Sequence, residues 1–172
     1  KANFTCVSSF CESANMFVVG DVAGRVILFD TRLKPSEREV STWKISHGPV
    51  VSLGKPLNGE FVLASALSKQ TDTHMVCFID DRNVVQPSKI NIPRLSCMEA
   101  HYSAPFFAVG SSDQFVRTYH ATQKTMFQEI KYYDEGFLGH RINPVVNLAL
   151  SPLSFDLAMS TTDGQITLFG FD

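Results

Sequence analysis

The sequence predicts an all-β chain made of repeated antiparallel sheets, on three observations. Alternating apolar stretches end four times in an aromatic or aliphatic residue plus one more, at Phe29-Asp30, Ile79-Asp80, Tyr119-His120 and Phe169-Gly170, spaced by roughly 40 to 50 residues. Turn residues fall in the same order between the short strands of each interval. No helical apolar period persists beyond one or two turns. Together these are the grammar of a WD-repeat β-propeller, in which each repeat gives four strands to one blade. Four blades are expected, over about 1–45, 46–93, 94–135 and 136–172, with no second domain. A β-sandwich also divides short apolar strands with Gly, Pro, Asn, Asp and Ser, but the fixed order of turn signals favours blades.

The opening repeat supplies strands at Phe4 to Ser8, Phe17 to Gly20, Val26 to Asp30 and Val40 to Trp43, with Ala23-Gly24 as the turn between the middle two. The second is the most degenerate, with strands at Val50 to Leu53, Phe61 to Ala66 and Met75 to Asp80 and a polar loop, Ser68 to Thr73, in place of a tight turn. The third has Leu95 to Ala100, Phe107 to Gly110, a turn at Asp113-Gln114, Val116 to Tyr119 and Thr125 to Lys131. In the last, Val146, Leu148 and Leu150 alternate through a first strand, Leu157 to Ser160 form a second, Asp163-Gly164 makes the turn, and Ile166 and Leu168 share one face of a third strand ahead of Phe169. Only Phe171-Asp172 follow, so the expectation is the C-terminal half of a seven-bladed ring whose last outer strand comes from the other end of the domain. Open sheet edges would then flank the fragment.

Composition excludes several classes. With 44% hydrophobic and 19% charged residues the balance is that of a folded globular protein, and a formal charge of -2 argues against a nucleic-acid partner held by bulk electrostatics. No apolar run approaches the roughly 18 residues of a membrane helix, so no direct membrane insertion is expected. Cys6, Cys11, Cys77 and Cys97 fit neither a zinc-ribbon spacing nor a disulfide scaffold, and point to reduced thiols in a cytosolic setting.

Catalytic patterns do not emerge, and no cofactor is implied. There is no GxSxG elbow and no HxxxH or HxH pair with a nearby carboxylate. The glycines of Gly20-Asp21-Val22-Ala23-Gly24 precede a strand rather than a helix N-terminus, which removes the amide cradle a phosphate needs. The histidines read as structural: His140 occupies the Gly-His position that ties a loop to its blade, His47-Gly48 inverts that dipeptide, and His74, His101 and His120 fall at strand ends where solvent is the ordinary partner. The hydrogen-bonded tetrad of such repeats survives only as His140 and Asp163, with Met159 at its Ser position and Phe169 at its Trp position. Blade stability is therefore expected from apolar packing. The structural motif residues are His140, Asp163, Gly164, Phe169, Asp113, Gly24, Phe29 and Asp30.

Binding to other proteins is the function class that remains, because loops on a rigid scaffold are where contacts are placed. The segment from Tyr132 to Leu138 joins the last two repeats and concentrates Tyr132, Tyr133 and Phe137. With Arg141, and with Asp21, Arg25 and Arg117 among the turn charges Lys69, Asp72, Asp113 and Asp163, these are the candidate contact residues. The turn charges are expected on one face and mix both signs, which suits a protein rather than a polyanion.

The same connecting segment carries a likeness. Ile130-Lys131-Tyr132-Tyr133-Asp134 followed by Gly136-Phe137-Leu138-Gly139-His140-Arg141 closely resembles the stretch before the last blade of the raptor family, the regulatory-associated proteins of TOR. Gly110-Ser111 with Gln114-Phe115 and Tyr119 resembles the penultimate blade, and Gly20-Asp21 with Gly24, Phe29-Asp30 and Arg32 an earlier one. Glu135 is an extra residue within the connecting motif, and the chain ends where family members often carry a short basic tail. The resemblance implies a non-catalytic scaffold of TOR complex 1 that works in the cytoplasm and at the lysosome surface, with the subunits of the TOR kinase complex as partners. Substrate and GTPase docking in that family rest largely on other regions, so no substrate-binding residue is carried over.

Overall fold

Residues 3–9, 14–54, 61–68, 73–80, 88–131 and 143–170 are described by the computed structural model. Their packing divides the chain into two compact units, 1–93 and 94–172. In the first unit one sheet runs β1 (Phe4–Ser9), β2 (Met16–Asp21), β3 (Arg25–Asp30), β4 (Glu39–Lys44), and a second runs β5 (Val50–Gly54), β6 (Phe61–Ser68), β7 (Thr73–Asp80), β8 (Ser88–Ile92). In the second unit β9 (Leu95–Ala100), β10 (Phe106–Ser111), β11 (Phe115–His120) and β12 (Thr125–Lys131) form one sheet, and β13 (Val145–Leu150), β14 (Leu157–Thr161) and β15 (Ile166–Phe169) another. Every pairing is antiparallel between strands adjacent in sequence. Four antiparallel sheets are present, as four blades require, and β8 is an outer strand that the sequence reading lacked.

Each first strand carries one residue outside the pairing register. Thr5 is extra between the pairs Phe4–Asp21 and Cys6–Gly20, Val51 between Val50–Ala66 and Ser52–Ser65, Ser96 between Leu95–Ser111 and Cys97–Gly110, and Val146 between Val145–Thr161 and Asn147–Ser160. Such a bulge shifts the in-out alternation by one. That corrects the reading of β13: Val145, not Val146, is buried with Leu148, while Val146 faces solvent. A second device also recurs four times. The backbone N–H one residue beyond the register-closing pair donates to a carbonyl just before the first strand, in Val22 to Asn3, Leu67 to Pro49, Ser112 to Arg94 and Thr162 to Pro144, at 2.9 to 3.1 Å.

Inside each unit, the step from one sheet to the next uses the same three residue types. A Cβ on Gly20 would lie 2.6 Å from the side chain of Val50 and 2.7 Å from Cys6 Sγ. On Gly110 it would lie 2.5 Å from Cys97 Sγ and 2.7 Å from Val145. Glycine is needed at both places because the first residue of the following sheet sits against its backbone. Around these steps lie apolar cores. One contains Val18, Val26, Leu28, Ile45, Val50, Leu53, Ala64, Ala66, Cys77 and Ile79, the other Cys97, Ala108, Val116, Val145, Leu148, Leu157 and Met159, with Phe169 packed on its margin. Each buried large aliphatic side chain in these cores contributes roughly 1.5 to 3 kcal/mol.

Candidate functional site

The turns between second and third strands hold Gly24, Asp113, Asp163 and Gly164 of the residues singled out from sequence. Gly24 and Gly164 take φ of 80° and 81°, in the left-handed region that glycine enters without a Cβ penalty. Gln114 holds the equivalent place at φ 70° without that freedom. What caps the first and third of these turns was not legible: there the last residue of the second strand, rather than a turn residue, supplies the accepting group. Asp21, only 1% exposed, accepts the Ala23 and Arg25 backbone N–H groups at 2.9 Å each and the Arg25 guanidinium at 2.7 Å. Ser111 Oγ accepts the Asp113 N–H at 3.0 Å and donates to the Arg94 carbonyl oxygen at 3.1 Å. The Thr161 hydroxyl donates to the Asp163 carboxylate. These are side-chain-closed turns, and a polar side chain two residues ahead of the turn, accepting at Asp21 and Ser111 and donating at Thr161, was the available signal.

Electrostatics follow that wiring. Burial pushes the Asp21 carboxyl up, but the Arg25 and Ala23 donors outweigh it and hold it below the ordinary value. Arg32 forks onto Asp30, with Nη2 at 2.6 Å and Nε at 3.0 Å, and lowers that carboxyl to about 2. The Thr161 hydroxyl lowers Asp163. Burial raises the Cys77 and Cys97 thiols to about 11, so both stay protonated and act as small apolar groups.

Of the expected contact charges, Asp21 is buried and used inside its own turn, which corrects its reading as a surface contact. Arg25 is partly exposed and paired with it. Arg117 lies on β11, where it bonds Glu129 on β12 at 2.8 Å and stands 5.2 Å from the Phe115 ring centre, so it serves its own sheet rather than a turn face. Asp113 pairs with Arg94 at 2.7 Å. Phe29 stacks on Phe17 at 5.3 Å. Tyr132, Tyr133, Phe137, His140, Arg141, Lys69 and Asp72 lie outside the described residues.

Two histidine readings change. His47 is exposed, and the neighbouring Ser46 ties the loop instead, donating to the Leu67 carbonyl oxygen at 2.6 Å and accepting the Gly48 N–H at 3.1 Å. His101, expected in solvent, is buried. Its Nδ1 accepts the Ser103 and Ala104 N–H groups at 3.2 and 2.9 Å, which leaves the ring proton on Nε2, 3.1 Å from the Ser154 carbonyl oxygen. The ring stacks on Phe106 at 4.6 Å and tilts against Phe155 at 5.6 Å. It thereby fixes the loop between β13 and β14 to the end of β9, a partner 53 positions away that sequence spacing could not disclose.

Two apolar surfaces result. On the first sheet Phe4, Cys6, Val7, Phe17, Phe29 and Arg38 line an open groove of about 570 Å³. On the third, Phe106, Thr118, Phe127 and Phe155 line a hollow of about 250 Å³. Among the described residues no three His, Cys, Asp or Glu side chains stand close enough to hold a metal ion.

No protein-family model matches the chain. A raptor homolog of Dictyostelium discoideum is 26% identical over 170 residues, which is 98% of this chain and 11% of that protein. The crystal structure of Chaetomium thermophilum raptor superposes with a TM-score of 0.83 at 23% identity, over 99% of this chain and 16% of that one. The chain is similar to raptor. The likeness to raptor drawn from the connecting segment is thus matched along nearly the whole sequence, while the chain spans about a tenth of that relative's length. The WD40 repeats of RRP9 superpose at 0.72 with 12% identity over 99% of this chain and 52% of that one. The fold is accordingly that of WD40 blades, as the repeats predicted.

Proposed function

We propose that this chain is the C-terminal propeller portion of a non-catalytic scaffold subunit of TOR complex 1, contributing to its assembly and to substrate presentation in nutrient-responsive TOR signalling. The observation that carries the reading is the raptor likeness over 98% of the chain. Two structural features support a scaffold. Polar groups are spent inside turns, as at Asp21, Ser111 and Thr161, which leaves apolar surface rather than convergent acid-base groups as the outward chemistry. Sheet faces remain open, with Ile166 and Leu168 on β15 each 76% exposed. Such faces suit further blades, and seven in all is the ring we infer; the RRP9 repeats, of which this chain matches about half, are consistent with that proportion. The protein works in the cytoplasm and is recruited to the lysosome surface on this reading. Among the described residues no helix is long and apolar enough to cross a membrane.

Affinity purification of the full-length protein from its own cells is the test, with TOR kinase the expected co-purifying subunit. Recovery of a stable assembly without TOR kinase would overturn the reading. It would favour the alternative, a WD-repeat interaction platform of another cytosolic complex, which shares the fold seen also in the RRP9 repeats.

A further inference from the structure

The first and third sheets present the same register positions and fill them differently. In the first, Val18 faces Leu28, Met16 lies two residues earlier on β2, and Val40 is the extra residue of β4 opposite the Leu28–Phe29 step. In the third, Ala108 faces Thr118, Phe106 takes the place of Met16, and Phe127 that of Val40. Leu28 is buried in the apolar core, with Met16 packed against it. Thr118 is buried too, but it is shorter, and its hydroxyl is used by the Gln128 carbonyl oxygen at 3.4 Å. Three phenyl rings surround the resulting hollow of about 250 Å³. Collapse is opposed because His101 stacks on Phe106 and leans on Phe155 while bonding Ser154, which holds the walls from beneath.

We propose that this hollow receives one leucine- or phenylalanine-sized side chain from an extended segment of a protein partner running beside β12. The size follows from the first sheet, which places a leucine at this register, and from the volume: a buried apolar cavity of about 150 Å³ already accepts benzene. The apolar character follows from the lining, whose one hydroxyl is already bonded, so a charged group would be desolvated without compensation. The extended form follows from β12, the terminal strand of its sheet among the described residues, whose outer backbone groups offer the pairing that strand addition uses. Phe127, 57% exposed, belongs to both that strand and the wall of the hollow. A helix would need an apolar stripe two turns long, whereas this site is one side chain wide. Met126, next to Phe127 in sequence, is exposed as well. The proposal stands independently of any TOR complex, since it rests on the third sheet and the loop from β13 to β14.

The test is selection of ten-residue peptides from a random display library on the full-length protein, followed by titration of single peptides by fluorescence anisotropy. Enriched peptides should share one Leu or Phe position, and Ala there should weaken binding at least tenfold. Thr118→Leu, which installs the residue of the first sheet, should weaken binding at least tenfold with melting temperature unchanged or raised. Should that variant fail to fold, Phe127→Ala, at an exposed side chain, should produce the same loss. Peptides that bind wild type and variant equally, or an enriched set without a shared apolar position, would overturn the proposal.

Discussion

The first and fourth sheets share a turn but not its surroundings. Gly24 and Gly164 have the same dihedral within a degree, yet a Cβ on Gly24 would overlap the Ser46 carbonyl oxygen and lie 2.5 Å from that of Gly48, while one on Gly164 meets nothing within 4 Å. The strands that follow differ in the same sense. Val26, Ile27 and Leu28 of β3 are buried, whereas Ile166 and Leu168 of β15 face solvent. One local grammar therefore carries very different loads, and the load is set by what packs over it. A motif residue's importance is a property of its neighbours in space, which the motif itself does not contain.

The strongest way to break this comparison is at the two glycines. Gly24→Ala should cost about 4 kcal/mol in chemical denaturation, from left-handed strain plus overlap with backbone. Gly164→Ala should cost about 1 to 2 kcal/mol, the strain alone. Equal losses would mean that the contacts of Gly24 do not matter. At the third strands, Leu28→Ala should cost about 3 kcal/mol as a core truncation. Phe169→Ala should cost about 2 kcal/mol because the ring is only partly buried. Removing the loop tie with His101→Ala should cost about 2 kcal/mol, since two backbone N–H groups lose their acceptor, and hydrogen exchange at Ser103 and Ala104 should rise.

Smaller effects sharpen the picture. Asp30 and Asp21 titrate lower in the folded chain than the ordinary carboxylate value of about 4. Their contribution is therefore present above that value and lost as pH falls through the folded ones, toward about 2 for Asp30. The denaturation midpoint should decline between pH 5 and pH 2, and Asp30→Asn should flatten that decline. A slope unchanged in the variant would show that other carboxylates govern acid unfolding. Last, Gln114→Gly should stabilise by about 0.5 kcal/mol, since Gln114 occupies the left-handed region at φ 70°.

Strands and turns were legible because they depend on neighbours in sequence. Val26 to Asp30, Phe107 to Gly110 and the turn at Asp163-Gly164 needed only alternation and a residue able to take positive φ. β8 was missed because Ser-Lys-Ile-Asn-Ile offers just two apolar residues. Val146 was misplaced because a bulge breaks alternation without changing composition. The site was less legible than the fold. The burial of His101 depends on Ser154 and Phe155, and the hollow beside it depends on Thr118 standing where the first sheet has Leu28, a difference visible only once the two registers are laid side by side.

The single surplus residue in each inner strand has a consequence for how such repeats diverge. One sheet steps inward with Gly20, Cys6 and Val50, while the same register in the last holds Ser160 and Asn147. The surplus residue is present in all four first strands, and removing it would turn every later side chain of that strand inside out. It works as a tally kept by the backbone, so a repeat whose lettering had eroded entirely would still be counted by its bulge.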